Sequence, residues 1–252
     1  MSSVNDIQLA ERWDTVRGWR MYSRNCVTDP SAPAVVLVHG LSMSSLYMLP
    51  LAKRLARDFR VYVPDLPGYG TSQKPKDSLD IPTLADILAE WMDVMQVGPA
   101  VLVGNSLGCH FIAALYARDP VRVNRVVLVG PYPDPTARGY SSTIKRGLFQ
   151  LLFEPPIFYP VALMDYLAHG FKHTFQTIDH AFDDPFEARL AQMDVPALVV
   201  RGQHDRITSP QWAEAAAHLL PQGELVTVPG GGHVVNYDAP EQLARIVRSF
   251  VK

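Results

Sequence analysis

Residues 101–110 read VLVGNSLGCH: an apolar run, then one hydroxyl, Ser106, with a glycine two positions away on either side, then a helix-like pattern. Gly, Asn and Ser are ordinary turn residues, so these ten residues alone also fit any strand-to-helix connection. A serine presented at a tight turn suits nucleophilic attack, provided that a base takes its proton. The chain has eight histidines. His233, in VPGGGHVVNYDAPE, follows the last apolar run through a glycine-rich loop and is the best candidate base. His39, ending VLVH, competes for that role but better suits loop shaping. His110, His169, His173, His180 and His218 read as solvated or structurally bonded imidazoles. A carboxylate should then hold the imidazole in one tautomer and stabilise its cation. Asp205, in VVRGQHDRIT, stands directly after an apolar run and completes the order Ser, Asp, His, with Asp134 as the alternative.

Acyl chemistry also needs donors aimed at an oxygen that becomes negative. The N–H of Leu107, directly after the serine, is one candidate, and the N–H of Leu41, in the loop after VVLVHG, is the second. Gly40 lets the chain pass close to a ligand. Ser42, with Ser44 and Ser45, offers a ligand hydroxyls or caps the next helix.

The elements that position these residues are legible as alternation. Valine-rich apolar runs at 34–40, 60–65, 100–105, 125–130, 197–202 and 224–229 read as strands buried on both faces. Segments 44–57, 83–96, 107–118, 210–220 and 240–251 have helical periodicity, with Thr83 and Asp86 as a capping box and Pro210 and Pro240 in first turns. The prediction is an α/β fold: a mostly parallel, doubly wound sheet with helices on both faces, plus an antiparallel edge hairpin over 12–25 about Arg17-Gly18. Only residues 132–193 break the alternation, being rich in proline and aromatics. They read as a cap inserted at the C-terminal edge of the sheet, between core segments 1–131 and 194–252. The plainer alternative is a set of surface helices packed on the core.

Composition narrows the class. The 252 residues carry 48% hydrophobic side chains and a formal net charge of -2, which lacks the basic excess of a nucleic-acid binder. No apolar signal core or bilayer-spanning run is visible, so a cytoplasmic protein is expected. Cys26 and Cys109 have no metal-binding spacing and read as free thiols.

The set HGLS, DLPGYG, GNSLG, GQHD and GGGHVVNYDAPE, in that order, resembles the α/β-hydrolase family over most of the chain. The resemblance implies a triad of Ser106, His233 and Asp205, an oxyanion hole from Leu41 and Leu107, no metal or organic cofactor, and a cap at 132–193. Cys109 stands where such proteins often have glycine. Serine at the elbow argues against the dehalogenase and epoxide-hydrolase branches. Asn105-Ser106 is similar to carbon–carbon bond hydrolases of ring-cleavage-type diketones, but HGLSMSS lacks their glycine-rich loop and Val234 replaces their usual Trp. Hydrolysis of a small-molecule carboxylic ester through an acyl-enzyme is the leading expectation, with the carbon–carbon reaction, acyl transfer and a weakly catalytic receptor as alternatives. The aromatics of 149–175 suggest a pocket for an apolar acyl or aromatic substrate, or else glue for the lid.

Overall fold

The computed structural model describes residues 7–252, so the first six positions of the expected core segment lie outside the described residues. Among the described residues eight strands make one sheet: β1 (Ala10–Val16), β2 (Trp19–Cys26), β3 (Ala34–Val38), β4 (Arg60–Asp65), β5 (Ala100–Asn105), β6 (Val123–Val129), β7 (Ala197–Gly202) and β8 (Gly223–Val228). Their spatial order is β1-β2-β4-β3-β5-β6-β7-β8. β1 and β2 form the expected antiparallel hairpin; Arg17 and Gly18 both have positive φ, 50° and 81°, as a tight hairpin turn of the right twist requires. β2 joins β4 antiparallel, and every pairing from β4 through β8 is parallel.

Outside the β6–β7 connection the helices are α1 (Ser45–Leu55), α2 (Ile81–Val94), α3 (Gly108–Arg118), α8 (Pro210–Leu219) and, after the last strand, α9 (Val235–Asp238) and α10 (Pro240–Val251). Strand side chains alternate between two cores. Val36 and Val38 join α2, α3 and α8 on one face, while Val35 and Leu37 join α1 and α10 on the other. This double burial explains why β3 to β7 read as continuous apolar runs. β8 does not share it: it is the edge strand and is half-buried or exposed except at Val228, contrary to the expectation for 224–229. The capping prediction for α2 also needs correction. Asp80 is the cap, its carboxylate accepting the Thr83 N–H at 2.8 Å, because Pro82 already occupies the first turn.

Residues between β6 and β7 form no strand, as anticipated. They fold into α4 (Tyr140–Gln150), α5 (Phe158–His169), α6 (Phe171–Asp183) and α7 (Phe186–Leu190). Phe186 and Leu190 of α7 and Ala181 of α6 enter the core beside α3 and α8, whereas Phe158 and Ala162 of α5 join the α1 side. Among the described residues no helix is long and apolar enough to cross a membrane.

Candidate active site

β5 ends at Asn105 and α3 begins at Gly108, so Ser106 and Leu107 alone turn the chain. Ser106 has φ 56°, a left-handed conformation costly for serine, and its backbone is pinned by N–H donation to Val129 O at 2.8 Å. A Cβ at Gly104 would lie 2.7 Å from the Gly108 carbonyl, and one at Gly108 would overlap the carbonyls of Val38 and His39. Both glycines of the motif are therefore sterically required. The turn sets Ser106 at the N-terminus of α3, where the helix dipole favours negative charge. Cys109 fits beside it, its thiol directed at Gly104 O.

His233 lies between β8 and α9, in the loop returning to the C-terminal edge of the sheet. Its Nδ1 meets Asp205 Oδ2 at 2.9 Å, and both side chains are almost wholly buried. Asp205 is set by its own turn: Oδ1 accepts the N–H groups of Ile207 and Thr208, and Arg201 bonds the Asp205 and Thr208 carbonyls. Burial pulls the His233 pKa down, but the Asp205 charge and hydrogen bond, together with the charges of Glu154 and Asp238, outweigh it, so the net shift is upward from 6.5. With Nδ1 engaged, Nε2 is the nitrogen left for the cavity that His233 and Ser106 both line. Among the described residues, the N–H groups of Leu41 and Leu107 have no acceptor in the protein, as unspent donors for a ligand oxygen would.

The competing candidates are otherwise employed. His39 is buried, its Nδ1 donating to Gly40 O and its Nε2 accepting the Leu66 N–H at 3.1 Å, which shapes two loops. Asp134 pairs with Arg146 at 2.8 Å; burial works to raise its carboxyl, yet hydrogen bonds from Thr136, Arg146 and Ser209 carry it down to about 2. His110 bonds Asp184 and stacks on Phe186, and His169 bonds Gly68 O and stacks on Tyr69. His173 and His180 bond the carbonyls of Pro75 and Ser78. Gly40 and Leu41 line the cavity; the Ser42 hydroxyl instead meets Thr174 at 2.8 Å. Ser44 caps α1, accepting the Leu46 N–H.

Three further residues brace the site. The Tyr47 hydroxyl accepts the Gly40 N–H at 2.7 Å and donates to Asn105 Oδ1 at 2.9 Å, while Asn105 Nδ2 donates to His233 O at 3.1 Å. The loop carrying Leu41, the elbow and the histidine loop thus share one buried network. From the inserted helices, Glu154 accepts the His233 N–H at 2.9 Å, and Asp165 accepts the Ser44 N–H at 2.9 Å. Sequence reasoning passed over Tyr47, Glu154 and Asp165. A signal existed: Glu154 and Asp165 are isolated acids in the apolar stretch LFQLLFEPPIFYPVALMDYLAHGF, where only buried pairing offsets their desolvation.

The shared cavity measures about 710 Å³ and is predominantly apolar, roofed by α4, α5 and α6. A second cavity of about 690 Å³, near Arg125, Leu198 and Phe250 at the opposite ends of the parallel strands, contains none of these residues. Among the described residues no group of His, Cys, Asp or Glu side chains could hold a metal ion.

Comparison with known proteins bears on this geometry. The chain is 30% identical over 245 residues to the carboxylesterase YbfK of Bacillus subtilis, covering 87% of this chain and 80% of that one. It is 27% identical over 246 residues to a 2-(acetamidomethylene)succinate hydrolase of Mesorhizobium japonicum, covering 88% of each. An esterase structure from Thermogutta terrifontis superposes with a TM-score of 0.82 at 22% identity, over 96% of this chain and 98% of that one. The model of the alpha/beta hydrolase family matches residues 35–246, and the chain belongs to that family.

Proposed function

We propose that the protein is a serine hydrolase cleaving small-molecule carboxylic esters with an apolar acyl or aromatic part. His233 Nε2 takes the Ser106 proton as Oγ attacks the ester carbonyl. The resulting oxyanion is held by the N–H groups of Leu41 and Leu107, which are already oriented when the charge forms. His233 then protonates the leaving alcohol, and water, activated by the same imidazole, releases the acid from Ser106. Asp205 fixes the ring tautomer and stabilises the imidazolium. Residues 132–193 act as the cap over this chemistry, inserted between core segments 1–131 and 194–252. The reaction is assigned to the cytoplasm, with Cys26 and Cys109, both buried and free, remaining thiols.

The observation that carries this reading is the 2.9 Å Asp205–His233 bond, which leaves the far ring nitrogen to a cavity also lined by the strained Ser106. Kinship with carboxylesterase YbfK favours an ester over other acyl bonds. Treatment with a fluorophosphonate should add one mass increment at Ser106. Turnover of short p-nitrophenyl esters should vanish in Ser106→Ala. Tight ligand binding without turnover or labelling would instead identify a receptor.

A further inference from the structure

Between Ile144 and Phe171 the surface of the inserted helices is unusually free of charge. Within this segment Lys145 is the exposed ionic side chain; Arg146 is paired with Asp134, Glu154 and Asp165 are buried, and from outside the segment Arg206 lies over the Phe149 and Phe153 rings. What faces outward is apolar. Leu152 is 74% exposed, Ile157 73% and Leu167 65%. Scattered exposed leucines need no explanation, but a continuous set does.

α5 shows the pattern most clearly. Phe158, Ala162, Asp165 and His169, at helical spacing, form its buried face, so an acid and a histidine point inward. Tyr159, Leu163, Met164 and Leu167 form the exposed face. This is the reverse of a helix facing water.

The exposed surface is continuous with the cavity. Leu148, Leu151, Tyr159, Leu163, Phe171 and Phe175 are both solvent-exposed and lining residues of the space that reaches Ser106. A ligand leaving an apolar phase across this surface crosses mostly apolar side chains on the way in. A protein partner seated on the same face would close the entrance that these side chains surround, whereas a lipid–water surface would supply it. Apolar side chains far outnumber its two exposed cations, Lys145 and Arg206, so the face is held by apolar burial, which neutral or zwitterionic headgroups permit.

We propose that the outer face of α4, α5 and the connection between them docks the protein on an uncharged or zwitterionic lipid–water surface, from which long-chain acyl esters enter the cavity. This deepens the ester-hydrolase reading and rests on it. The docking is peripheral, through side chains at the surface.

Sedimentation with phosphatidylcholine vesicles tests the surface, and two substrates separate docking from chemistry: dissolved p-nitrophenyl butyrate and emulsified p-nitrophenyl palmitate. The wild-type protein should sediment with vesicles to the same extent at low and high salt. The triple variant Leu152→Gln, Ile157→Gln, Leu167→Gln alters exposed side chains outside the cavity lining. It should keep butyrate turnover while vesicle partition and palmitate turnover fall by roughly tenfold or more. Wild-type protein remaining in the supernatant, or a variant that sediments equally well, overturns the docking. So does a wild-type dimer in solution that the variant converts to monomer, since a second copy would then cover this face. Absent butyrate turnover in the wild type refutes the esterase reading instead, and the vesicle result is read independently of it.

Discussion

The Glu154 carboxylate accepts the backbone N–H of His233 at 2.9 Å, so the loop carrying the imidazole is held by a side chain 79 positions earlier, in the inserted helices. Burial, with the nearby negative charge of Asp238, pushes the Glu154 carboxyl up to about 7. A carboxyl raised in this way from 4.5 takes up a proton on folding. Its contribution to stability is full below about pH 4.5 and is lost as the pH rises through about 7. Thermal melts of wild type and Glu154→Gln across that interval should diverge, with the variant lacking this decline. Parallel curves would remove the assignment. Glu154→Ala, which leaves a buried N–H unpaired at a cost of about 1–3 kcal/mol, should also lower kcat, and Glu154→Gln should restore most of it.

Asp205 and Asp134 both follow strand ends, yet only Asp205 reaches the imidazole. Asp205→Asn should reduce kcat on a soluble ester by about 10⁴-fold through loss of the correct tautomer. Asp134→Asn should change it by less than about tenfold, because its carboxylate serves Arg146, and the lost ion pair should appear as a lower Tm. Equal kinetic losses in the two variants would contradict the separation of roles.

An imidazole acts as a base only when neutral, so if His233 is the base, activity should be low in acid and rise as the ring loses its proton. The Asp205 charge and hydrogen bond, with the charges of Glu154 and Asp238, outweigh burial and place the midpoint above 6.5. Glu154 adds to the upward shift, so Glu154→Gln should move the midpoint of kcat/KM to lower pH. A profile flat through this range, or a variant midpoint moving upward, would count against the imidazole as base.

Tyr47 ties the loop of Gly40 and Leu41 to Asn105 through one hydroxyl, and burial keeps that phenol protonated. Tyr47→Phe removes a partner from two buried groups and should cost about 1–3 kcal/mol of stability for each left unsatisfied. If Leu41 holds the oxyanion, kcat should fall more than KM rises, since the donor is used chiefly in the transition state. A change confined to KM would detach this network from the chemistry.

Much of the scaffold was readable because its determinants are local. The runs at 60–65, 100–105 and 197–202 coincide with β4, β5 and β7, since valine-rich segments bounded by turn residues have few other stable conformations. The helix at 240–251 is likewise found over the span expected from its periodicity. Where the reading slipped, a neighbour decided. Among the described residues no further strand covers the edge of β8, which leaves it partly open, and Asp80 displaced Thr83 as the cap of α2 because Pro82 starts the helix earlier.

The sequence alone determined the order of strands and helices and the sterically forced turn at Ser106, because apolar periodicity and the space between Gly104 and Gly108 act over a few residues. Tertiary structure decided what depends on distant segments meeting: which carboxylate faces His233, that Glu154 clasps its loop, and which apolar side chains of the inserted helices turn outward. Those outcomes follow from desolvation and pairing across the folded chain, quantities that have no value until the partners are within a few ångströms of each other.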